Sequence, residues 1–222
     1  MRRLIDLLFA AVALILLSPL LGLIALGVMV TSPGNPFFLG PRIGKNGAPF
    51  RMWKFRTMVI NAASRGPAVT GRNDPRITPL GRLLRATKLD ELPQFINLLL
   101  GQMTLVGPRP EAPEIVLLYS SQQRAVLAVK PGITGIGQIL GDESELIPEG
   151  VKADEYYVQQ LLDPKIRRDL DYLERRTVGS DVQVLYRTAE LVVRALLAPL
   201  GIGNHQPPSS AGISTPRSYT DL

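Results

Sequence analysis

Two adjacent acids, Asp90 and Glu91, lie among basic residues near the middle of this 222-residue chain. Arg85 and Lys88 precede them closely, and Arg109 follows inside a rigid Gly-Pro-Arg-Pro turn. Carboxylates bind hard cations such as Mg²⁺, arginines neutralise phosphate oxygens, and a carboxylate is able to attack phosphorus. The grouping indicates a Mg²⁺-dependent phosphoryl reaction, and an ordinary acidic helix N-cap is the alternative for the acid pair taken alone.

The composition argues against several other chemistries. The chain has no Cys, which excludes disulfides, thiolate catalysis and Cys-ligated metals. Its one His, His205, lies in a Pro/Ser-rich C-terminal stretch, which argues against a His triad or a His general base. Hydrophobic residues make up 45% of the chain, so it is neither disordered nor fibrous.

The positive charge is concentrated in one segment. Eleven Lys and Arg residues and a single acid, Asp74, lie between Thr31 and Leu89, which gives that segment a charge of +10 against +6 for the whole chain. Such a segment predicts a surface that binds anions, whether phosphates, nucleic acid or acidic lipid headgroups.

The basic segment follows an uncharged run of 24 residues, from Leu7 to Val30. As one straight helix the run would measure about 36 Å, which exceeds the roughly 30 Å hydrocarbon core of a bilayer. Ser18-Pro19 divides it into halves, and the Ser18 hydroxyl is expected to bond to the Leu14 carbonyl. Two half-length arms with basic flanks are compatible with a re-entrant helix that has both ends in the cytoplasm. A kinked spanning helix fits these residues equally well.

Periodicity and capping residues predict the elements that position these groups, and the fold class is mostly α with short β segments (α+β). We expect strand-like segments at 50–58, 104–106 and 138–140, and helices at 79–86, 92–100, 113–129, 152–162, 165–175 and 181–197. Thr78 and Pro79 are the expected N-cap and first residue of one helix, and Gly101 closes another. Asp90 and Glu91 then precede the helix at 92, whose dipole and free N–H groups favour their ionised forms. The predicted divisions are a membrane helix at 1–30, a cytoplasmic catalytic domain at 31–200 and a disordered tail at 201–222.

Several ordered motifs resemble those of the bacterial sugar transferase family, the monotopic polyprenyl-phosphate phosphoglycosyl transferases. They are Lys54-Phe-Arg-Thr-Met58, Arg85-Ala-Thr-Lys-Leu-Asp-Glu-Leu-Pro-Gln94, Asn97-Leu-Leu, Leu105-Val-Gly-Pro-Arg-Pro110 and Lys130-Pro-Gly-Ile-Thr-Gly135. The resemblance extends to about Leu197, and the Ser18-Pro19 break resembles the family's re-entrant membrane helix. It therefore favours the re-entrant form over the spanning one.

The resemblance implies transfer of a sugar-1-phosphate from a UDP-sugar to undecaprenyl phosphate, with release of UMP. Asp90 would be the nucleophile that forms a covalent phosphosugar intermediate. Glu91 would assist through Mg²⁺ or by orienting Asp90, so both acids are expected metal ligands. Arg85, Arg109 and Arg56 match family positions at or near substrate phosphates.

The resemblance also implies the setting of the reaction. We expect a catalytic domain on the cytoplasmic face of the bacterial inner membrane, in contact with phospholipids and not with nucleic acid, that opens assembly of a surface glycan. A homodimer is compatible with this expectation, and the chain length resembles the family's minimal catalytic form. Gly141-Asp142 departs from the family's usual Gly-Arg pair, so a hexosamine, a bacillosamine-type sugar, galactose and glucose all stay open as the donor sugar.

Two other functions compete with the transferase. A membrane-tethered, Mg²⁺-dependent phosphatase or nucleotide-sugar hydrolase would use the same acids with water as acceptor, and would need no polyprenyl phosphate. A non-catalytic module that binds anionic lipid or nucleic acid would account for the basic segment and the apolar run, but not for the acid pair.

Overall fold

The computed structural model describes residues 2–66, 69, 74–139, 146–148 and 150–197, and in this part of the chain helices outweigh two small sheets. The helices are α1 (Arg2–Thr31), α2 (Pro79–Ala86), α3 (Gln94–Leu99), α4 (Pro113–Val116), α5 (Ile136–Ile139), α6 (Ala153–Tyr156), α7 (Leu162–Arg175) and α8 (Val178–Leu197). The strands are β1 (Phe37–Ile43), β2 (Pro49–Phe55), β3 (Thr104–Val106) and β4 (Gly132–Thr134). The expected mixture of mostly helix with short strands is confirmed. His205, Gly141-Asp142 and the predicted tail lie outside the described residues.

Helix α1 continues through Pro19 without a break in its assignment. Proline has no N–H to donate to the carbonyl four residues earlier, which here belongs to Ile15. The Ser18 hydroxyl donates to that carbonyl at 2.8 Å and replaces the missing donor. The prediction that Ser18 bonds to Leu14 is therefore wrong by one residue, because Ile15 carries the carbonyl that Pro19 leaves unpaired.

The first turns of α1 are fixed to the rest of the chain by polar contacts. Arg3 donates to the carbonyls of Leu98 and Leu99 at the end of α3, at 2.6 and 2.8 Å. The Asp6 carboxylate accepts bonds from the Thr104 hydroxyl at 2.9 Å and from the Leu105 N–H at 3.2 Å. These contacts hold the start of the apolar helix against α3 and β3.

The last turns of α1 pack against a different part of the same body. Ile24 and Val28 are buried with Phe55 of β2 and Leu84 of α2. Between the buried residues Ala10 and Ile24, no side chain of α1 is buried, and Ile15 and Leu16, for example, are 72% and 73% exposed. By length and composition α1 is able to cross a membrane.

A β-hairpin and the capped helix α2 pack against the turn that contains the acid pair. Strands β1 and β2 are antiparallel, with Phe37 opposite Phe55. The predicted cap of α2 is confirmed, because the Thr78 hydroxyl accepts the Gly81 N–H at 3.0 Å and Pro79 follows it. A Cβ atom at Gly81 would lie 2.1 Å from the Thr57 carbonyl oxygen, so only glycine lets α2 approach the chain that follows β2 this closely.

Three predicted elements differ from the structure. The helix expected over 113–129 ends at Val116, because the Ser120 and Gln123 side chains each accept the other's backbone N–H, at 3.2 and 2.9 Å, and start a new 3₁₀ turn. The extended segment expected at 138–140 is wrong, since Ile136–Ile139 is helical; Leu140 lies outside the described residues. The two helices expected over 152–175 are continuous, joined by a wide π turn at Tyr157–Leu161.

Candidate active site

Asp90 and Glu91 lie in a 3₁₀ turn, Leu89–Glu91, between α2 and α3. Lys88 precedes the turn with a φ of 58°, in the left-handed region, and this reversal separates the turn from the end of α2. Non-glycine residues adopt this conformation rarely, and it is concentrated at functional sites. The sequence placed the acids directly before a helix at 92, and the regular helix begins two residues later, at Gln94.

Glu91 is the centre of an ion-pair cluster that joins three elements. Its carboxylate accepts Lys54 Nζ of β2 at 2.7 Å and both terminal nitrogens of Arg109, at 2.5 and 3.2 Å. Burial by itself would raise the pKa of Glu91, but the charges of Arg109 and Lys54 outweigh burial and hold this pKa well below its usual range. Glu91 is therefore ionised and already neutralised by protein cations.

Asp90 has the opposite character, although it is the adjacent residue. It is 5% exposed. Burial raises the pKa of Asp90 to about 6, the charge of Glu91 adds to this effect, and Lys54 and Arg85 oppose it. Burial therefore affects the pKa of Asp90 more than the helix N-terminus does, which the sequence analysis expected to favour the ionised form. At neutral pH this side chain is a poorly solvated carboxylate, the form that suits a nucleophile.

Lys54 was not among the residues predicted for the site. The fully buried Asn97 brings it there, because its side chain accepts the Trp53 N–H at 2.9 Å and donates to the Arg51 carbonyl at 2.7 Å. These bonds fix β2 against α3 and direct the next residue, Lys54, to Glu91. The alternation of apolar and basic residues along this strand was the available signal, but it does not reveal a partner 37 residues away.

Of the three predicted arginines, two belong to this cluster. Arg109 pairs with Glu91, and Arg85 donates through Nε to the Thr57 hydroxyl at 2.9 Å while its charge acts on Asp90. Arg56 points elsewhere. Its terminal nitrogens donate to the carbonyls that follow α1, those of Ser32 and Pro33. The phosphate-binding role expected for Arg56 stays a prediction.

Comparison with known proteins identifies a sequence family that covers the residues of this cluster. The family model described as bacterial sugar transferase matches residues 1–195. The chain belongs to the bacterial sugar transferase family. This confirms the resemblance carried by the motifs around Lys54, Asp90 and Arg109.

Named members of the sugar transferase family are similar over most of the chain. UDP-glucose:undecaprenyl-phosphate glucose-1-phosphate transferase of Escherichia coli (strain K12) is 36% identical over 195 residues, which are 85% of this chain and 39% of that protein. Undecaprenyl-phosphate galactose phosphotransferase of Salmonella typhimurium is 34% identical over 87% of this chain and 40% of its own length. Exopolysaccharide production protein ExoY of Sinorhizobium fredii is 40% identical over 71% of this chain and 76% of its own. The chain thus spans about two fifths of the first two relatives and three quarters of the third.

The acid pair is also where a metal ion was expected. Within the described ranges, no group of three or more His, Cys, Asp or Glu side chains is arranged to hold a metal ion. Asp90 and Glu91 therefore form at most a two-carboxylate site that other ligands must complete, and Mg²⁺ stays a prediction.

Proposed function

We propose that this chain transfers a sugar-1-phosphate from a UDP-sugar to undecaprenyl phosphate, with Asp90 as the nucleophile. The observation that carries the proposal is the division between the two adjacent acids. Glu91 is held and neutralised by Lys54 and Arg109, whereas Asp90 is buried with a pKa raised to about 6. Family membership supports the reaction class, because related proteins are named for UDP-sugar donors and undecaprenyl-phosphate acceptors.

The proposed reaction has two displacements at one phosphorus atom. First, an Asp90 carboxylate oxygen attacks the phosphorus that bears the sugar. The bond from this phosphorus to the bridging oxygen breaks, and UMP leaves with that oxygen. Second, an oxygen of the lipid phosphate attacks the same phosphorus and releases the Asp90 carboxylate. No proton is abstracted in either step, because both nucleophiles are already ionised, and the described part of the chain contains no His.

The cations around Asp90 are suited to the negative charge that two phosphate groups bring. The charge of Arg85 acts on Asp90 and Arg109 pairs with Glu91, and both carry planar guanidinium groups that match phosphate oxygens. Lys54 is partly buried, with 17% of its side chain exposed. Burial lowers its pKa, and the Glu91 charge counteracts that effect. We assign Arg85 and Arg109 to the diphosphate of the donor, and Lys54 to the ionisation of Asp90 and Glu91.

The acid pair fits a Mg²⁺ ion that the substrate helps to bind. Glu91 Oε1 accepts Lys54 and one nitrogen of Arg109. Among the described residues, Oε2 accepts only the other nitrogen of Arg109, which leaves a lone pair on Oε2 for a metal. Mg²⁺ is commonly held by one or two carboxylates together with substrate phosphates, and it neutralises charge on a diphosphate. Asp90 and Glu91 are the residues that would hold it.

We further propose that α1 is re-entrant. Both of its ends contact the same folded body, through Arg3 and Asp6 at the start and Ile24 and Val28 near the end, while the middle exposes apolar side chains. Each large apolar side chain left in water costs about 1.5–3 kcal/mol relative to burial, so the middle of α1 favours lipid. An apex in the bilayer, with both ends at the headgroups, would present the lipid phosphate to Asp90.

Single-cysteine labelling tests this topology, because the chain has no native Cys. Arg2→Cys and Ser120→Cys should react with an impermeant maleimide from the same side of oriented membrane vesicles, since Ser120 is an exposed marker of the catalytic body. Labelling of position 2 from the opposite side would show that α1 spans the membrane.

UMP release tests the reaction itself. Purified protein in nanodiscs would receive Mg²⁺, undecaprenyl phosphate and a panel of UDP-sugars that begins with UDP-glucose and UDP-galactose. We expect one donor to yield UMP over many turnovers only when the lipid is present, with at most one UMP per protein molecule without it. Asp90→Asn should abolish both kinds of release, and Asp171→Asn, an exposed acid, should retain them. Repeated turnover without lipid would instead indicate a hydrolase, and binding of UDP-sugars without any UMP release would indicate an anion-binding module.

A further inference from the structure

A second buried polar cluster lies beside the active site and has no part in the proposed chemistry. Lys165 and Tyr157, 2% and 3% exposed, both donate to the Glu111 carboxylate, and the bond from Tyr157 measures 2.5 Å. Lys165 Nζ also donates to the Tyr157 hydroxyl at 2.9 Å. Burial would raise the pKa of Glu111, but the Lys165 charge and the two hydrogen bonds hold this pKa below its usual value. The cluster is therefore an ionised, hydrogen-bonded group that lies largely out of contact with solvent.

The wide turn between α6 and α7 makes this cluster possible. Residues eight positions apart on a regular α-helix are offset by about 80° around its axis, so Tyr157 and Lys165 would face different directions. The π turn at Tyr157–Leu161 contains one extra residue, which removes about 100° of rotation and brings both side chains to one face. A π turn is rare, and here it serves to place two donors on one carboxylate oxygen.

Glu111 is joined to the active site through the chain itself. Only Pro110 separates it from Arg109, the residue that binds Glu91. The Glu111 carbonyl accepts the Ile43 N–H of β1 at 3.0 Å. On the other side of Arg109, two backbone bonds of 2.9 Å attach Gly107 and Pro108 to β4. Prolines also flank Arg109 on both sides. Because the two ends of the segment are fixed, the backbone of Arg109 has little freedom.

We propose that Tyr157 and Lys165 are positioning residues for Arg109. By holding the Glu111 side chain they fix the end of the Gly107–Glu111 segment, so that the Arg109 guanidinium meets both Glu91 and a substrate phosphate at the required position. This proposal rests on the proposed function only in assigning Arg109 to the diphosphate of the donor. A cluster that merely stabilised the packing of α4 on α7 would affect activity independently of Arg109.

A double-mutant cycle separates these two roles. Tyr157→Phe removes the hydrogen bonds that the Tyr157 hydroxyl makes with Glu111 and Lys165 but leaves the Lys165–Glu111 ion pair, so the core stays intact. We expect it to lower kcat/KM for the UDP-sugar about tenfold, equivalent to about 1.4 kcal/mol. Tyr186→Phe, at a site 69% exposed, is the matched control and should change kcat/KM less than twofold. In an Arg109→Lys background, Tyr157→Phe should have less than a twofold effect, and an equal factor in both backgrounds would overturn the proposal.

Hydrogen–deuterium exchange gives a readout that needs no activity. The N–H groups of Ile115 and Val116 both bond to the Ala112 carbonyl, directly after Glu111. We expect faster exchange of this peptide in Tyr157→Phe and unchanged exchange in Tyr186→Phe. If no UDP-sugar yields UMP, the proposed function fails while faster exchange still shows that Tyr157 holds this segment. Unchanged exchange together with unchanged kcat/KM would refute the positioning role.

Discussion

Lys54→Met gives the sharpest test of how the site controls Asp90. Lys54 bonds to Glu91 at 2.7 Å, and its charge is the largest influence that opposes burial in setting the pKa of Asp90. An opposite charge near a carboxyl lowers its pKa by about 1–3 units, and we take the lower limit because Lys54 is shared with Glu91. Removal of this charge should therefore raise the pKa of Asp90 from about 6 to about 7.

The sign of the effect on activity follows from the role of Asp90. Only the ionised carboxylate attacks phosphorus, so kcat/KM falls as the pH drops through the pKa of Asp90. With the shift above, Lys54→Met would retain about one fifth of wild-type kcat/KM at pH 6 and about nine tenths at pH 8. The assay is UMP release from pH 5 to pH 9, with a binding control to verify that the donor still binds.

Two further variants make this prediction specific. Lys54→Arg keeps the charge and should keep the wild-type pH profile, and Lys45→Met removes an exposed lysine of the same basic segment and should change nothing. A uniform loss of kcat/KM at every pH would show that Lys54 acts on substrate rather than on the ionisation of Asp90. A profile that moves to lower pH would refute the electrostatic reasoning altogether.

Three other predictions concern the scaffold. Asn97→Ala should lower the free energy of unfolding by about 3 kcal/mol in urea titration, because it leaves the buried backbone groups of Trp53 and Arg51 unpaired; a loss below 1 kcal/mol would contradict the role given to this side chain. Lys88→Gly should be about 1 kcal/mol more stable than Lys88→Ala, since φ is 58° there and alanine keeps the left-handed strain that glycine lacks; equal stabilities would show that the turn carries no strain. Arg56→Met should lower Tm and leave KM for the UDP-sugar unchanged because its guanidinium caps the end of α1; a raised KM at unchanged Tm would favour the phosphate-binding role.

The local elements around the site were predictable where short-range chemistry decides them. Thr78-Pro79 begins α2, and Gly101, with a φ of 77°, follows α3 as expected. Helix boundaries were predicted wrongly where apolar periodicity competes with local side-chain hydrogen bonds. Apolar residues continue past Val116, but the reciprocal bonds between Ser120 and Gln123 favour a new turn over continuation of the helix.

The site was predictable in its residue types but not in its geometry. Motifs singled out Asp90, Glu91, Arg85 and Arg109, which the structure brings together. Neither spacing nor composition shows that Glu91 pairs with Lys54 and Arg109 while Asp90 is buried. The pairing with Lys54 depends on how β2 packs against α3. The π turn that aligns Tyr157 with Lys165 was not predicted, since one extra residue shifts the apolar pattern in the same way as a break between two helices.

The central claim is that Asp90 carries the phosphosugar, and intact-protein mass spectrometry tests it most directly. The protein would be mixed with its UDP-sugar donor and Mg²⁺ without lipid, quenched rapidly, and compared with Asp90→Asn and with the exposed control Asp171→Asn. We predict a mass increase of one sugar phosphate in the wild type and in Asp171→Asn, located on the peptide that contains Asp90, and its disappearance on addition of undecaprenyl phosphate. Lipid-dependent UMP release with no adduct at any quench time, or an adduct that persists in Asp90→Asn, would contradict it.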